Sequence, residues 1–147
     1  MIENLKEITK DTLLSEVQKF ADAKARFVVT VCNDLGDKLE ATYYFNYSPG
    51  VEMVALRMVV GKDEEVPSIS GIYLCAVLAE NEMFEQYGLK VKDIAIDFGG
   101  LMLLGNGSPV TPMLKDKAAG GKGASKWHRV QLHHLDHSTR YFRNRFS

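Results

Sequence analysis

Four histidines near the carboxyl terminus are the first residues whose chemistry could matter. They stand with Asp136 in the run WHRVQLHHLDH, as His128, His133, His134 and His137. If this run is helical, His133 and His137 lie one turn apart and their imidazoles could share a metal ion. The run has no Glu-x-x-His core. Adventitious metal binding is therefore the more common consequence of such a cluster, and we expect no metal site.

The same stretch is basic and aromatic. It contains Lys115, Lys117, Lys122, Lys126, Arg129, Arg140, Arg143 and Arg145, interleaved with Trp127, Tyr141, Phe142 and Phe146. This composition could contact phosphates and stack the bases of a nucleic acid. Trp, Tyr and Arg are equally the residues that anchor protein–protein interfaces. We expect a protein partner rather than nucleic acid.

Three carboxylates, Glu80, Glu82 and Glu85, follow an uncharged run and form the third candidate. General acid–base catalysis would require a partner group with a shifted pKa, and a pocket. No Ser/His/Asp or Cys/His arrangement accompanies them in the sequence. The pattern predicts an acidic helix end that faces solvent or a partner, and no catalytic centre.

Cysteines and glycines add no further chemistry. Cys32 and Cys75 match no metal-ligand spacing and fall in apolar runs, so both are predicted to be reduced core residues. The glycine-punctuated run DFGGLMLLGNGSP has no P-loop lysine and no G-x-G-x-x-G that opens a helix. It is predicted to be a mobile or surface-hugging loop.

The elements that position these residues begin with a helix over 11–24, DTLLSEVQKFADAK. Its apolar residues recur at helical spacing and Asp11 is a plausible N-cap. Strand-like runs follow at 26–33, 39–47 and 52–60, separated by turns at 33–37 and 48–50. Such short turns predict a three-stranded antiparallel meander with Tyr43, Phe45 and Tyr47 on its core face.

A second helix organises the remainder, within VPSISGIYLCAVLAENEMFEQYGL (66–89). Pro67 places its start later, with Ser68 or Ser70 as the cap, and Gly88 is a suitable C-cap. The predicted fold is α+β: an N-terminal helix, the three strands, a possible fourth short strand within Leu89–Ile96, this buried helix, and an irregular C-terminal tail.

Charge divides the 147-residue chain into two parts. Residues 1–114 have a balance of −7 and are predicted to form one α+β domain, whereas residues 115–147 have a balance of +6 and all four histidines. The tail is predicted to be extended or docked on a partner. No signal peptide or apolar run of about 18 residues is present, so we expect a soluble, cytoplasmic protein that reaches a membrane only through a partner.

Several spaced motifs resemble one family. They are Val66-Pro67-Ser68-Ile69, Tyr73, Glu80-Asn81-Glu82, the run from Phe84 to Leu89, and the run from Pro112 to Asp116. Over about residues 10–116 the chain is similar to the "30 kDa" subunits of respiratory complex I and of energy-converting, membrane-bound nickel–iron hydrogenases. Asn81 replaces the family's middle arginine, and a His-Pro-Asp-Leu-Arg-Arg segment is missing around 94–100. These departures favour the shorter, hydrogenase-type homologue.

The resemblance implies a structural or assembly subunit in the peripheral arm of a membrane-bound oxidoreductase, at the inner face of the membrane. Such subunits carry no cofactor; iron–sulfur clusters, and nickel–iron in the hydrogenase case, belong to partner subunits. The implied partners are a large catalytic subunit and a small iron–sulfur subunit. The implied interface residues are Glu80, Glu82, Glu85, Tyr87, Gly88, Pro112, Lys115 and Asp116.

A second hypothesis comes from another class of protein. The chain could be a free-standing small α+β binding module whose basic tail binds nucleic acid or metal. When isolated, it could also pair with a second copy through its uncovered interface. The residues alone leave these alternatives open.

Overall fold

The computed structural model describes residues 4–47, 53–115 and 131–132. Their elements follow the order β1 (Asn4–Ile8), α1 (Lys10–Asp22), β2 (Arg26–Asp34), β3 (Lys38–Asn46), β4 (Val54–Gly61), β5 (Glu65–Pro67), α2 (Ala76–Tyr87), β6 (Lys90–Lys92), β7 (Ile96–Asp97) and β8 (Gln131–Leu132). This is an α+β architecture, as predicted from the sequence. Most of the basic tail, including its histidines, lies outside the described residues.

A mixed four-stranded sheet in the order β1-β4-β3-β2 is the framework. β3 pairs antiparallel with both β2 and β4, which confirms the predicted meander. In the first turn, the Leu35 N–H donates to the Lys38 carbonyl at 2.9 Å. The predicted second turn, at 48–50, lies outside the described residues.

The fourth strand of this sheet is β1, which pairs in parallel with β4 from Asn4↔Val54 to Ile8↔Met58. The short strand predicted within Leu89–Ile96 is present as β6, but it pairs in parallel with β5 in a separate two-stranded sheet. β7 and β8 form a third, antiparallel pair. The sequence gives no signal for β1 because four of its five residues are exposed, so no apolar alternation marks it.

The core lies between the inner face of the main sheet and the two helices. Leu13, Val17 and Phe20 of α1 and Ala76 and Met83 of α2 belong to the same buried cluster as the inward-facing residues of β2, β3 and β4. Burying each large apolar side chain stabilises the fold by about 1.5 to 3 kcal/mol. The sheet and both helices therefore form one hydrophobic unit.

An aromatic cluster fixes the position of α1. Phe20 stacks on Phe45 with ring centroids 4.4 Å apart, and Phe27 and Tyr73 contact the same Phe45 ring. The predicted core role of Tyr43 and Phe45 is confirmed, because both are fully buried. The prediction is wrong for Tyr47, which lies at the rim, half exposed against Phe20.

The start of α1 differs from the prediction. Thr9 is the N-cap, and its N–H donates to the Thr12 hydroxyl at 3.1 Å. Asp11 lies inside the first turn, where a negative charge is favourable near the positive end of the helix dipole. The threonine pair forms a capping box, which is the stronger local signal.

The start of α2 also differs. Pro67 is the last residue of β5, and the helix begins at Ala76 instead of directly after the proline. Ser68 and Ser70 do not cap it, because their hydroxyls bond to each other and Ser68 also bonds to a glutamate twelve residues later. Side-chain hydrogen bonds of this kind compete with helix formation.

The end of α2 confirms the prediction for Gly88. Its φ of 75° is left-handed, a conformation that glycine adopts without steric cost. The Gly88 N–H donates to the Phe84 carbonyl at 2.8 Å, which is the bond of an αL C-cap, and the Leu89 N–H donates to the Met83 carbonyl at 3.4 Å.

The two cysteines have different surroundings. Cys32 is buried on β2, as predicted, and burial is the main reason that the pKa of its thiol is raised. Cys75 is exposed, so the prediction of a core residue is wrong for it. Cys75 lies immediately before Ala76, the first residue of α2, and its side chain does not lie on the packed face of the helix.

Candidate functional site

Two of the three carboxylates predicted to surface at the end of α2 are buried. Glu80 is fully buried and Glu85 is nearly so, and Asn81 between them is buried as well. Only Glu82 is exposed. The physical reason is that α2 is covered on two sides, by the sheet and by the chain that follows it. Glu80 bonds to the turn after β5, and Asn81 and Glu85 bond to the chain that follows α2. We call this chain, residues 94–115, the 94–115 segment.

Glu80 faces the turn that follows β5. Its Oε2 accepts a hydrogen bond from the Ser68 hydroxyl and its Oε1 accepts one from the Ile69 N–H, both at 2.6 Å. Burial raises the pKa of Glu80 to about 7, against the opposing effect of these two hydrogen bonds. The carboxyl therefore connects α2 to residues far back in the chain rather than to solvent.

Asn81 fastens the start of the 94–115 segment. Its amide nitrogen donates to the Ile96 carbonyl at 2.8 Å, and its Oδ1 accepts the Phe98 N–H at 3.0 Å. The same nitrogen also donates to Val77 within the helix. An asparagine has both a donor and an acceptor for this task.

Glu85 fastens the middle of the segment. Its carboxylate accepts hydrogen bonds from the N–H groups of Leu103 and Leu104, at 3.0 and 2.5 Å. These residues belong to no strand or helix, so the carboxylate supplies the acceptor that a strand neighbour would supply elsewhere. The backbone is thereby ordered without regular secondary structure.

Asp34 fastens the end of the segment, and the sequence did not identify it as a site residue. Its carboxylate accepts the Lys115 N–H at 2.8 Å and the Gly36 N–H at 2.9 Å, and Lys62 Nζ lies 3.0 Å away. The bond to Lys115, together with those to Gly36 and Lys62, holds the pKa of Asp34 at about 2 despite its burial. The Asp-x-Gly pattern could have indicated the bond from Asp34 to Gly36. No pattern in the sequence indicates the bond to Lys115, which lies 81 residues later.

We expect the Asp34 contribution to stability to disappear in acid. Its folded pKa lies below its ordinary 3.8, so the stabilisation is present above that value and is lost as pH falls towards about 2. Asp34→Asn should therefore lower the free energy of unfolding at pH 7 and flatten its decline between pH 4 and 2, as measured by urea titration. The matched control is Asp37→Asn, an exposed aspartate of the same turn. An unchanged acid slope in Asp34→Asn would contradict the assignment.

A groove of about 300 Å³ lies between the second half of α2 and the 94–115 segment, with Phe84, Gly88, Leu101, Leu104 and Val110 among its lining residues. A Cβ at Gly88 would lie 3.2 Å from Thr111 Cγ2, so the absence of a side chain permits this close approach. The Met113 N–H donates to the Gln86 carbonyl at 3.1 Å and holds the later part of the segment to α2.

Large apolar side chains remain uncovered on this side of the molecule. Phe84, Leu101, Leu103, Val110 and Met113 are all exposed beside the second half of α2, and we call these five residues the apolar face. Phe84, Leu101 and Val110 also line the groove, and exposed apolar patches commonly mark interaction sites. The backbone beneath the apolar face is held by hydrogen bonds to three buried side chains, Asn81, Glu85 and Asp34.

The predicted interface residues are thus distributed unevenly. Glu82 and Lys115 are exposed, and Tyr87, Gly88 and Pro112 are half-buried. Glu80 and Glu85 are corrected from surface residues to buried ones. Asp116 lies outside the described residues. What the structure brings together at this place is therefore an apolar face with few charges, rather than an acidic helix end.

The described part of the chain contains no group of three or more His, Cys, Asp or Glu residues placed to hold a metal ion. Within the same residues, no helix is long and apolar enough to cross a membrane. The histidines of the tail are not among them.

Comparison of the fold with solved structures gives a chain of the membrane-bound sulfane sulfur reductase (MBS), described as an archaeal respiratory membrane complex. The TM-score is 0.61 at 13% sequence identity, and the match covers 74% of this chain and 67% of that one. At this identity the likeness concerns the fold. A comparison with curated protein sequences finds no match.

The sequence itself is matched by the model of one protein family. The family is described as "Respiratory-chain NADH dehydrogenase, 30 Kd subunit", and residues 6–122 match it. This range contains the main sheet except for the first two residues of β1, both helices and the whole 94–115 segment, which is far more than half of the chain. The protein belongs to the respiratory-chain NADH dehydrogenase 30 kDa subunit family.

Proposed function

We propose that this chain is a non-catalytic subunit in the peripheral arm of a membrane-bound oxidoreductase, and that it contacts the large catalytic subunit of that complex. The hydrogenase-type complex is the version that we favour, because Asn81 and the 94–100 region depart from the complex I pattern. The observation that carries the proposal is the apolar face, which is exposed on a segment whose backbone is held by Asn81, Glu85 and Asp34.

Preorganisation is the physical argument for a docking role. A loop that must be ordered on binding costs association free energy for each residue that it immobilises. Here that ordering is built into the fold, since buried carboxylates and an amide already accept the segment's N–H groups. The apolar face is therefore presented to a partner in one conformation, which favours a permanent subunit contact over a transient one.

Charged residues flank the apolar face. Glu82 lies on the exposed side of α2, and Lys115 lies where the segment ends. Charges at the rim of an interface contribute more to orientation and association rate than to affinity. Glu85 supports the interface from inside, because it positions the backbone of Leu103 and Leu104.

The proposal assigns cofactors and location to the complex. Iron–sulfur clusters, and nickel–iron in the hydrogenase case, are proposed for the large subunit and for a small iron–sulfur subunit. The chain itself is proposed to be a cytoplasmic, peripheral component on the inner face of the membrane. The family membership, and the respiratory membrane complex that contains a chain of similar fold, both support this placement.

We expect a charge in the apolar face to release the partner. Leu103 is 60% exposed, so Leu103→Asp should fold normally, yet it would bury an unpaired carboxylate in the complex. Recovery of the large subunit with an affinity-tagged Leu103→Asp chain should fall by about tenfold or more.

The matched control is Leu5→Asp, since Leu5 is 45% exposed on the edge strand β1, away from this face. It should retain the large subunit. Equal recovery with both variants would contradict the proposed interface, and so would equal loss.

A further inference from the structure

A chain of buried hydroxyls ends on Glu80, and the proposed function does not use it. Ser68 Oγ lies 2.6 Å from Glu80 Oε2, and Ser70 Oγ lies 2.5 Å from Ser68 Oγ. The Ala95 N–H then donates to Ser70 Oγ at 2.9 Å. All three side chains are buried. The chain thus runs from α2, through the turn after β5, to the start of the 94–115 segment.

Counting hydrogens fixes the direction of this chain when Glu80 is ionised. The carboxylate only accepts, so the Ser68 hydroxyl donates to it, beside the Ile69 N–H. The single Ser68 hydrogen is then used, and Ser70 must donate to Ser68. The Ala95 N–H donates to Ser70 Oγ, and the Ser70 N–H also donates to Ser68 Oγ, at 3.0 Å, so every hydrogen points towards the carboxylate and every donor has an acceptor.

Protonation of Glu80 reverses the direction. Oε1 faces the Ile69 N–H, which is itself a donor, so the proton resides on Oε2 and is donated to Ser68. Ser68 then donates to Ser70. The Ser70 oxygen already accepts from Ala95, and its own hydrogen has no acceptor among the hydrogen bonds of the described residues. The protonated state therefore leaves one hydroxyl hydrogen unpaired inside the protein.

The surroundings of Glu80 oppose its ionised state. Tyr43 of β3 and Cys32 of β2 are buried on the sheet side, and the pKa of Tyr43 is raised by burial and then by the charge of Glu80. Lys90 and Asp97 line the same cavity of about 100 Å³ as Glu80. No ion pair to Glu80 occurs within residues 4–47 and 53–115, because the salt bridges there involve other carboxylates.

We propose that Glu80, Ser68 and Ser70 form a proton-responsive latch, whose hydroxyl chain reverses when Glu80 exchanges a proton and whose hold on the Ala95 N–H changes with it. Desolvation favours the protonated carboxyl, whereas the hydrogen-bond count favours the ionised one. Opposing terms of this kind bring the two states close together in free energy. The pKa of Glu80, at about 7, agrees with this balance.

The sign of the linkage follows from the raised pKa. The folded protein binds the Glu80 proton more tightly than the unfolded chain does, whose value is 4.5. This contribution to stability is complete below pH 4.5 and declines as pH rises to about 7. The domain is therefore less stable above about pH 7 than below pH 4.5, whereas ionised Glu80 pulls the Ala95 N–H more firmly towards the hydroxyl chain.

NMR titration of the full chain tests this proposal. With ¹³C-labelled glutamate side chains, the Glu80 carboxyl should titrate near pH 7, well above the ordinary value of 4.5, and Glu80→Gln identifies its signal. The amide protons of Ile69 and Ala95 should shift with the same midpoint. Ser68→Ala removes a donor to the ionised form, so the ratio of ionised to protonated Glu80 at pH 7 should fall by about tenfold.

Two results would overturn the proposal. One is a Glu80 carboxyl that titrates at the ordinary value of 4.5, or that does not titrate while the protein is folded. The other is a Glu80 titration without a matching shift of the Ala95 amide proton, since the hydrogen bonds of Ser68 and Ser70 would then not reverse. The titration of Glu80 in the unaltered protein tests the proposal even if Ser68→Ala fails to fold.

Discussion

The Glu85→Ala variant is expected to lose the ordered middle of the 94–115 segment while α2 and the sheet stay intact. The Leu103 and Leu104 N–H groups both donate to this one carboxylate, and the variant offers them no other acceptor. Leaving a partly buried donor unsatisfied costs about 1 to 3 kcal/mol. We therefore expect the free energy of unfolding to fall by about 2 to 4 kcal/mol.

Two measurements check this expectation. Urea titration gives the free energy of unfolding, and amide hydrogen exchange should accelerate at Leu103 and Leu104 but not in β3. Glu82→Ala is the matched control, because Glu82 lies three residues earlier on the exposed side of α2 and makes no such bonds. If Glu85→Ala were no less stable than Glu82→Ala, the carboxylate would not be what holds the segment.

The Leu56→Ala variant should show a large loss of stability. Leu56 lies on β4, opposite Tyr43 of β3, and is fully buried. Truncating a buried leucine removes its transfer free energy and leaves a cavity, at a cost of about 2 to 5 kcal/mol. The same change in Leu78, which is 61% exposed on α2, should alter stability by about 0.5 kcal/mol or less.

Both variants make the same Leu→Ala change, so a difference between their free energies of unfolding reflects the buried position of Leu56 and the exposed position of Leu78. Chemical denaturation at neutral pH gives both values. Similar losses in Leu56→Ala and Leu78→Ala would mean that β4 does not pack against the core as described. A large loss confined to Leu56→Ala supports the layer arrangement on which the position of α2 depends.

The sequence predicts what local patterns encode. Alternating apolar residues and short polar turns identify β2, β3 and β4, and a glycine after an amphipathic run identifies the end of α2 at Gly88. These features depend on neighbours a few residues away. The family resemblance rests on the same stretches, and the family model confirms it.

Partners that are distant in sequence defeat local reasoning. Glu80 and Glu85 carry charges, which predicts exposure, but their partners are Ser68 and the N–H groups of Leu103 and Leu104. Asp34 meets Lys115 across 81 residues. No residue near these carboxylates in the sequence indicates their bonds to such distant partners, so the burial of the carboxylates could not be predicted.

The corrected positions change the account of the interface. The sequence suggested that charges on α2 meet the partner directly. In the structure, Glu85 and Asn81 instead position a backbone that exposes Leu103 and its apolar neighbours. Specificity for a partner would then come from the shape of the apolar face, with Glu82 and Lys115 at its rim.

Isolation of the native complex tests directly whether this chain is a subunit of a membrane-bound oxidoreductase. The affinity-tagged chain is recovered from membranes solubilised in a mild detergent, and the co-purifying proteins are identified and quantified by mass spectrometry. We expect a large catalytic subunit and an iron–sulfur subunit in amounts equal to the chain. A chain that is recovered alone, only as copies of itself, or with nucleic acid in a salt-dependent manner would contradict it.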